Sequence, residues 1–173
     1  MDLATIIVLI CEGLLIMFAL YLVFAWLTQT PFYPSSTKSL TDFLKEADIK
    51  VKQSTRFIDI GSGDGRFVIW AARKGMHATG VEYNPFLTIW SRFRILINGL
   101  GKRATIINGD FFKLDYSQYD IAYMYLFNEH MDKLKEKLFK EMPKGSMIIT
   151  NTFTFSKIEP DLHVGKYYLY KVK

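Results

Sequence analysis

The sequence predicts an α/β fold with a mainly parallel sheet, preceded by one N-terminal transmembrane helix. Three observations carry this. Apolar strand-like runs alternate with helical stretches after about residue 49, which is the pattern of βαβ units. A glycine-rich turn joins the first of these runs to a helix, as F-I-D-I-G-S-G-D-G from Phe57 to Gly65. The first 28 residues hold a long apolar segment with a single internal charge. The expected division is 1–28 anchor, 29–48 linker and N-terminal helix, and 49–173 catalytic domain.

The elements follow in order. Ala4 to Leu27 is apolar apart from Glu12, and at about 1.5 Å per residue it spans a hydrocarbon core of about 30 Å. The start, M-D-L-A-T, lacks the basic residues of a cleaved signal peptide, so an uncleaved anchor is expected. Glu12 within it suggests a helix partner or a functional contact, against a protonated side chain on a lone anchor. All 22 Lys and Arg follow residue 28, as do all acids except Asp2 and Glu12, so the remainder is more basic than the whole chain at +5. Basic residues flank the anchor only on its C-terminal side (Lys38, Lys45, Lys50, Lys52). The positive-inside rule then places the domain in the cytoplasm, against a membrane that is also a partner through its lipids. Cys11 is the only cysteine, which excludes an internal disulfide and leaves no cysteine nucleophile in the domain.

Thr30 to Ser36 is an extended, proline-stiffened linker, and Ser36 or Thr37 caps a helix to about Ala47. Strands are expected at Arg56–Ile60, His77–Glu82, Ala104–Asn108, Asp120–Leu126, Ser146–Thr152 and Lys166–Val172. Helices are expected at Phe67–Lys74, at His130–Met142, and from an Asn84 cap and Pro85 to Asn98-Gly99. On that last helix, Phe86, Trp90, Phe93 and Ile97 recur at helical spacing and are expected to face the core. His77, His130 and His163 are not spaced as ligands, and no metal is expected.

The glycine loop carries the chemistry. Its glycines allow close backbone approach, the following helix offers N–H groups, and Glu82 ends the next strand where a ribose acceptor would stand. A dinucleotide fingerprint reads G-x-G-x-x-G and cradles a pyrophosphate. Here the spacing is D-x-G-x-G-x-G, and two acids, Asp59 and Asp64, flank the glycines. Two carboxylates repel a pyrophosphate and hold a cation, so the expected cofactor is S-adenosyl-L-methionine (SAM). A dinucleotide pocket and a bare strand-to-helix turn are the competing readings.

With these residues in place the chain resembles class I SAM-dependent methyltransferases over about Ile49 to Thr152, which implies a Rossmann-like methyltransferase fold. P-F-Y-P-S-S (Pro31 to Ser36), D-I-G-S-G-D-G-R (Asp59 to Arg66), G-V-E-Y-N-P-F-L (Gly80 to Leu87) and S-R-F-R (Ser91 to Arg94) together resemble the small protein-lysine methyltransferases. That family includes an archaeal enzyme and membrane-anchored mitochondrial enzymes acting on the adenine nucleotide translocase and the ATP synthase c-subunit. The chain departs from the pattern at Tyr125 to His130 and at Thr152 to Phe155, both on the acceptor side.

The resemblance implies residue roles. Asp59 orients the glycine loop and the cofactor's amino end, and Asp64 adds an acceptor. Gly61, Ser62 and Gly63 approach the ligand, and Gly65 packs helix against strand. Glu82 holds the ribose hydroxyls, Tyr83 and Asn84 border the adenosine, Asp110 accepts from the adenine amino group and Phe111 packs on its ring. Tyr125, Asn128 and Glu129 form the acceptor face, with Pro31, Phe32, Tyr33 and Pro34 as a lid. The expected function is N-methylation of a protein lysine, with a membrane-associated protein as substrate. The alternatives are a small or lipidic acceptor at the membrane, or a non-enzymatic SAM-binding protein. No nucleic-acid substrate is expected, because the fourth strand lacks the Asn/Asp-Pro-Pro-aromatic element that holds a base amine.

Overall fold

The computed structural model describes residues 2–28 and 36–173, so the lid expected at Pro31, Phe32, Tyr33 and Pro34 lies outside the described residues. The chain divides into two units, Met1–Pro34 and Ser35–Lys173. Among the described residues the first holds one helix, α1 (Leu3–Thr28). It is long and apolar enough to cross a membrane, and its apolar side chains from Leu3 to Val23 are largely exposed.

The second unit begins with α2 (Thr37–Glu46), whose Leu40, Phe43 and Leu44 enter the same core as Phe57. Five strands then run parallel: β1 (Arg56–Ile60), β2 (His77–Glu82), β3 (Ala104–Asn108), β4 (Ile121–Met124) and β5 (Met147–Asn151). Between them lie α3 (Arg66–Arg73), α4 (Pro85–Ile97) and α5 (Asn128–Glu141). The final hairpin is β6 (Leu162–Val164) and β7 (Tyr167–Lys171), with β7 antiparallel to β5. Strand order is β3-β2-β1-β4-β5-β7-β6.

β1 is buried from Phe57 to Ile60, as expected of a central parallel strand covered on both faces. Its side chains alternate between two apolar layers. Phe57 joins Tyr123, Ile149 and the buried face of α3. Ile58 and Ile60 join Met124, Ile148 and the α5 residues Leu134 and Leu138. Chain progress reverses at β1: β2 and β3 lie to one side, β4 and β5 to the other. In such sheets the ligand crevice opens at the strands' carboxyl ends, beside the strand where the order reverses.

Three sequence expectations change. β4 stops at Met124 instead of Leu126, which leaves Tyr125 and Leu126 in the loop over the crevice. β6 has no counterpart among the expected strands; its three residues pair only with β7 and carry too short an alternation to read. The third concerns α4. Its core-facing residues are Thr88, Ser91 and Ile95, while Trp90 is 51% exposed, Phe93 48% and Ile97 64%. The reason is close approach: a Cβ built on Gly65 would lie 2.8 Å from Ser91 Cβ, so only a small side chain fits that face of α4.

Candidate cofactor site and acceptor face

The loop after β1 is built from alternating left-handed positions. Gly63 (φ 53°) and Gly65 (φ 73°) adopt conformations that L side chains rarely take, which accounts for the glycine spacing. Five N–H groups of the loop and the helix start are already used. Gly61 and Ser62 donate to Val81 O at 2.9 and 3.0 Å, Gly63 to Glu82 Oε2 at 2.8 Å, and Gly65 to Ser62 O at 2.9 Å. The first helical N–H, that of Arg66, is capped by Asp64 Oδ1 at 3.3 Å. A pyrophosphate cradle needs N–H groups aimed outward. Here these five already donate to acceptors of the protein itself.

Oxygen is what the loop leaves available. Asp59, on β1 and paired in register with Gly80 and Tyr123, is buried. Its Oδ2 and the Oγ of Ser62 are buried without a hydrogen-bond partner among the described residues. Burial pushes the Asp59 carboxyl well above its ordinary value, and the charges of Glu82 and Asp64 push it the same way against Arg66. Buried polar atoms are ordinarily hydrogen-bonded. These two fit a donor-rich, cationic ligand that carries no phosphate.

Glu82 ends β2 with both oxygens fixed: Oε2 accepts from Gly63 N–H and Oε1 from Asn84 N–H, each at 2.8 Å. Burial raises its carboxyl, opposed by the backbone N–H groups of Asn84, Gly63 and Tyr83. With three backbone donors on its two oxygens, the carboxylate still has lone-pair capacity for a hydroxyl. Asp64 is engaged differently. Arg66 Nε reaches its Oδ1 at 2.8 Å and Arg94 Nη1 its Oδ2 at 2.5 Å. Although burial opposes it, this arginine pair holds the Asp64 carboxyl below its ordinary range.

At the neighbouring strand end, Asp110 Oδ1 accepts from Phe112 N at 2.9 Å and caps the single 3₁₀ turn Phe111–Lys113. The Phe111 ring packs on Phe112 at 4.6 Å and His130 at 5.8 Å. Asn84 is buried, with its side chain capping α4 through Phe86 N and Leu87 N. Tyr83 is exposed. Asn108, not singled out from sequence, donates to Glu82 O at 3.0 Å and Thr88 Oγ1 at 3.1 Å and ties the β3 end to that of β2. No motif marks it; its role appears only when Glu82 and Asn108 pair in register. Gly80 stands in the G-V-E-Y-N-P-F-L motif, but its role is not legible there. A Cβ there would lie 2.6 Å from Ser62 Oγ, so Gly80 makes room for that hydroxyl.

On the other side of β1, the loops after β4 and β5 bring aromatics together. Tyr125 stacks on Phe153 at 6.1 Å and 18°, and Phe127 packs on Phe153 at 6.0 Å. Phe153 follows Thr152, a β-branched residue at φ 69°, where non-glycine residues are strained. Asn151 Nδ2 donates to the Tyr123 hydroxyl at 3.0 Å, and Thr152 Oγ1 to Asn151 Oδ1 at 3.0 Å, so hydrogen bonds brace the turn. Leu126 Cδ2 would lie 3.0 Å from a Cβ on Gly61, so this loop touches the glycine loop. Glu129 is exposed in the first turn of α5, and Asn128 opens that helix.

The parallel sheet extended by the β7–β6 hairpin and the acid-flanked loop at its switch point define a Rossmann-like methyltransferase fold. Residues 59–162 match the ANTKMT methyltransferase domain, and the chain belongs to that family. It is 35% identical over 136 residues to the human lysine N-methyltransferase of the ATP synthase c-subunit, covering 79% of this chain and 57% of that protein. It is 33% identical over 131 residues to a protein-lysine N-methyltransferase of Saccharolobus islandicus (strain REY15A), covering 75% of this chain and 80% of that one. Its fold is similar to a crystal structure of an RNA methyltransferase from Salinibacter ruber in complex with S-adenosyl-L-homocysteine. The TM-score is 0.76 at 28% identity, over 81% of this chain and 94% of the other. The chain thus spans a little over half the length of the human relative, 57%.

Proposed function

We propose that this protein is a SAM-dependent protein-lysine N-methyltransferase acting on a membrane-associated protein. The observation that carries the cofactor assignment is the buried, unpartnered pair Asp59 Oδ2 and Ser62 Oγ beside a Glu82 carboxylate fixed at both oxygens. Asp59 and Ser62 take the cationic amino-acid end, Glu82 the ribose hydroxyls, and Asp110 with Phe111 the adenine. SAM supplies a methyl group already activated by its sulfonium, so the protein's contribution is chiefly positioning. Its similarity to protein-lysine N-methyltransferases supports lysine as acceptor.

A lysine must shed its proton before attack. The Tyr125, Phe127 and Phe153 cluster forms an apolar wall that disfavours the ammonium and lowers its pKa. Acceptors at the start of α5, with Asn128 and Glu129 as candidates, orient the amine. In this reading α1 anchors the chain by a single pass, and the basic residues C-terminal to it support a domain on the cytoplasmic side.

The test is to incubate the full chain with methyl-labelled SAM and a membrane fraction. Label recovered as N-methyl-lysine in protein supports the proposal. Label in the lipid extract, or label lost on nuclease treatment, refutes it.

A further inference from the structure

We propose that the outward face of α4 is a second membrane contact, which docks the catalytic domain on an anionic bilayer surface. The face is apolar: Ile89, Trp90, Phe93, Leu96 and Ile97 recur at helical spacing and are all exposed, Leu96 by 74%. Trp90 and Phe93 rings lie 5.8 Å apart on it. Exposed patches of this kind on a soluble unit mark an interaction surface. Aromatic and aliphatic side chains on one side of a helix suit burial at the headgroup–acyl boundary.

Charge decides for lipid. From Tyr83 to Gly109 the chain contains Arg92, Arg94, Lys102 and Arg103 and no acid; Arg94 is paired with Asp64, while Arg92 and Arg103 donate to the Ile106 and Gly75 carbonyls and keep their charge. Arg73 joins them in space, because its guanidinium donates to Asn98 Oδ1 at the C-terminal cap of α4. Arg73, Lys74 and Lys102 are exposed. An apolar helical face flanked by the exposed cations Arg73, Lys74 and Lys102 is complementary to anionic headgroups. The N-cap of α4, Asn84, lies two residues after Glu82, so docking this helix would set the height of the cofactor site above the membrane. Proximity to a bilayer rests on the proposed anchoring by α1, from which only residues 29–36 separate α2.

The experiment reads anchoring and docking separately. Leu96→Cys is made in a full chain carrying Cys11→Ser, labelled with a polarity-sensitive nitrobenzoxadiazole probe, and reconstituted in vesicles containing phosphatidylglycerol. Co-sedimentation reports anchoring. Docking predicts a several-fold rise in probe emission, quenching by nitroxide on the lipid acyl chains, and protection from aqueous iodide. It also predicts that Lys102→Glu reverses part of the change, and that a probe at Lys144→Cys stays aqueous. A sedimenting chain whose position 96 remains open to iodide overturns the docking and leaves the anchor. A probe shielded from both quenchers means protein covers α4, which also overturns it. A chain that does not sediment overturns both.

Discussion

The N–H of Gly63 donates to Glu82 Oε2 at 2.8 Å, so the glycine loop after β1 is fastened to the acid that ends β2. The same carboxylate receives Asn84 N–H, which leads into α4. One side chain therefore positions the loop, the helix start and the expected ribose site together.

Glu82→Gln breaks this arrangement, because its amide nitrogen must face one of two N–H donors. Charge-assisted hydrogen bonds are worth about 1.5–3 kcal/mol. SAM affinity should fall at least about tenfold, and amide exchange at Gly63 should accelerate. Calorimetry and hydrogen exchange check the two effects.

Asp59→Asn tests the buried carboxyl through pH. Burial raises the Asp59 pKa, so folding favours the protonated form. Its stabilising contribution is complete below the ordinary carboxylate range and is lost as pH rises through the raised value. Glu82 is raised by burial too, so the pair moves in the same direction. Without ligand, D59N should melt higher than wild type at neutral pH, and the gap should close on acidification. With SAM the order should reverse, as D59N binds about 10- to 100-fold more weakly. Thermal melts across pH, with and without SAM, measure this.

Gly80→Ala tests the seat of Ser62. The added methyl would meet Ser62 Oγ at 2.6 Å and Ile106 Cδ1 at 2.7 Å. Overpacking of this kind costs about 1–3 kcal/mol. Denaturant unfolding should show that loss, and SAM binding should weaken with it because Ser62 is displaced.

Phe153→Ala tests the acceptor face. Phe153 packs against both Tyr125 and Phe127, and none of the Asp59, Ser62 and Glu82 contacts involves it. Methylation should drop by about an order of magnitude or more while SAM affinity is retained. Steady-state kinetics set beside a SAM titration separates these outcomes.

Much of this was legible because the signals are local. The D-x-G-x-G-x-G loop follows an apolar run, Asn84-Pro85 announces a capped helix, and both lie where expected. What escaped depends on packing partners that sequence spacing does not name. The Trp90–Phe93–Ile97 stripe has core periodicity, yet Ser91 occupies the tight contact with Gly65 and turns the apolar face outward. Asp64 reads as a ligand acid beside Asp59, but Arg94, thirty residues on, pairs with it. Asn108 carries no motif, and Gly80 reads only as the start of G-V-E-Y-N-P-F-L; both matter through their neighbours, Glu82 and Ser62.

The central claim is tested most directly by mass spectrometry of membrane proteins after incubation with the purified full chain and methyl-labelled SAM. The account predicts label on lysine side chains, abolished by Glu82→Ala and insensitive to nuclease. Label confined to lipid or nucleic acid, or lysine methylation undiminished by Glu82→Ala, would contradict it.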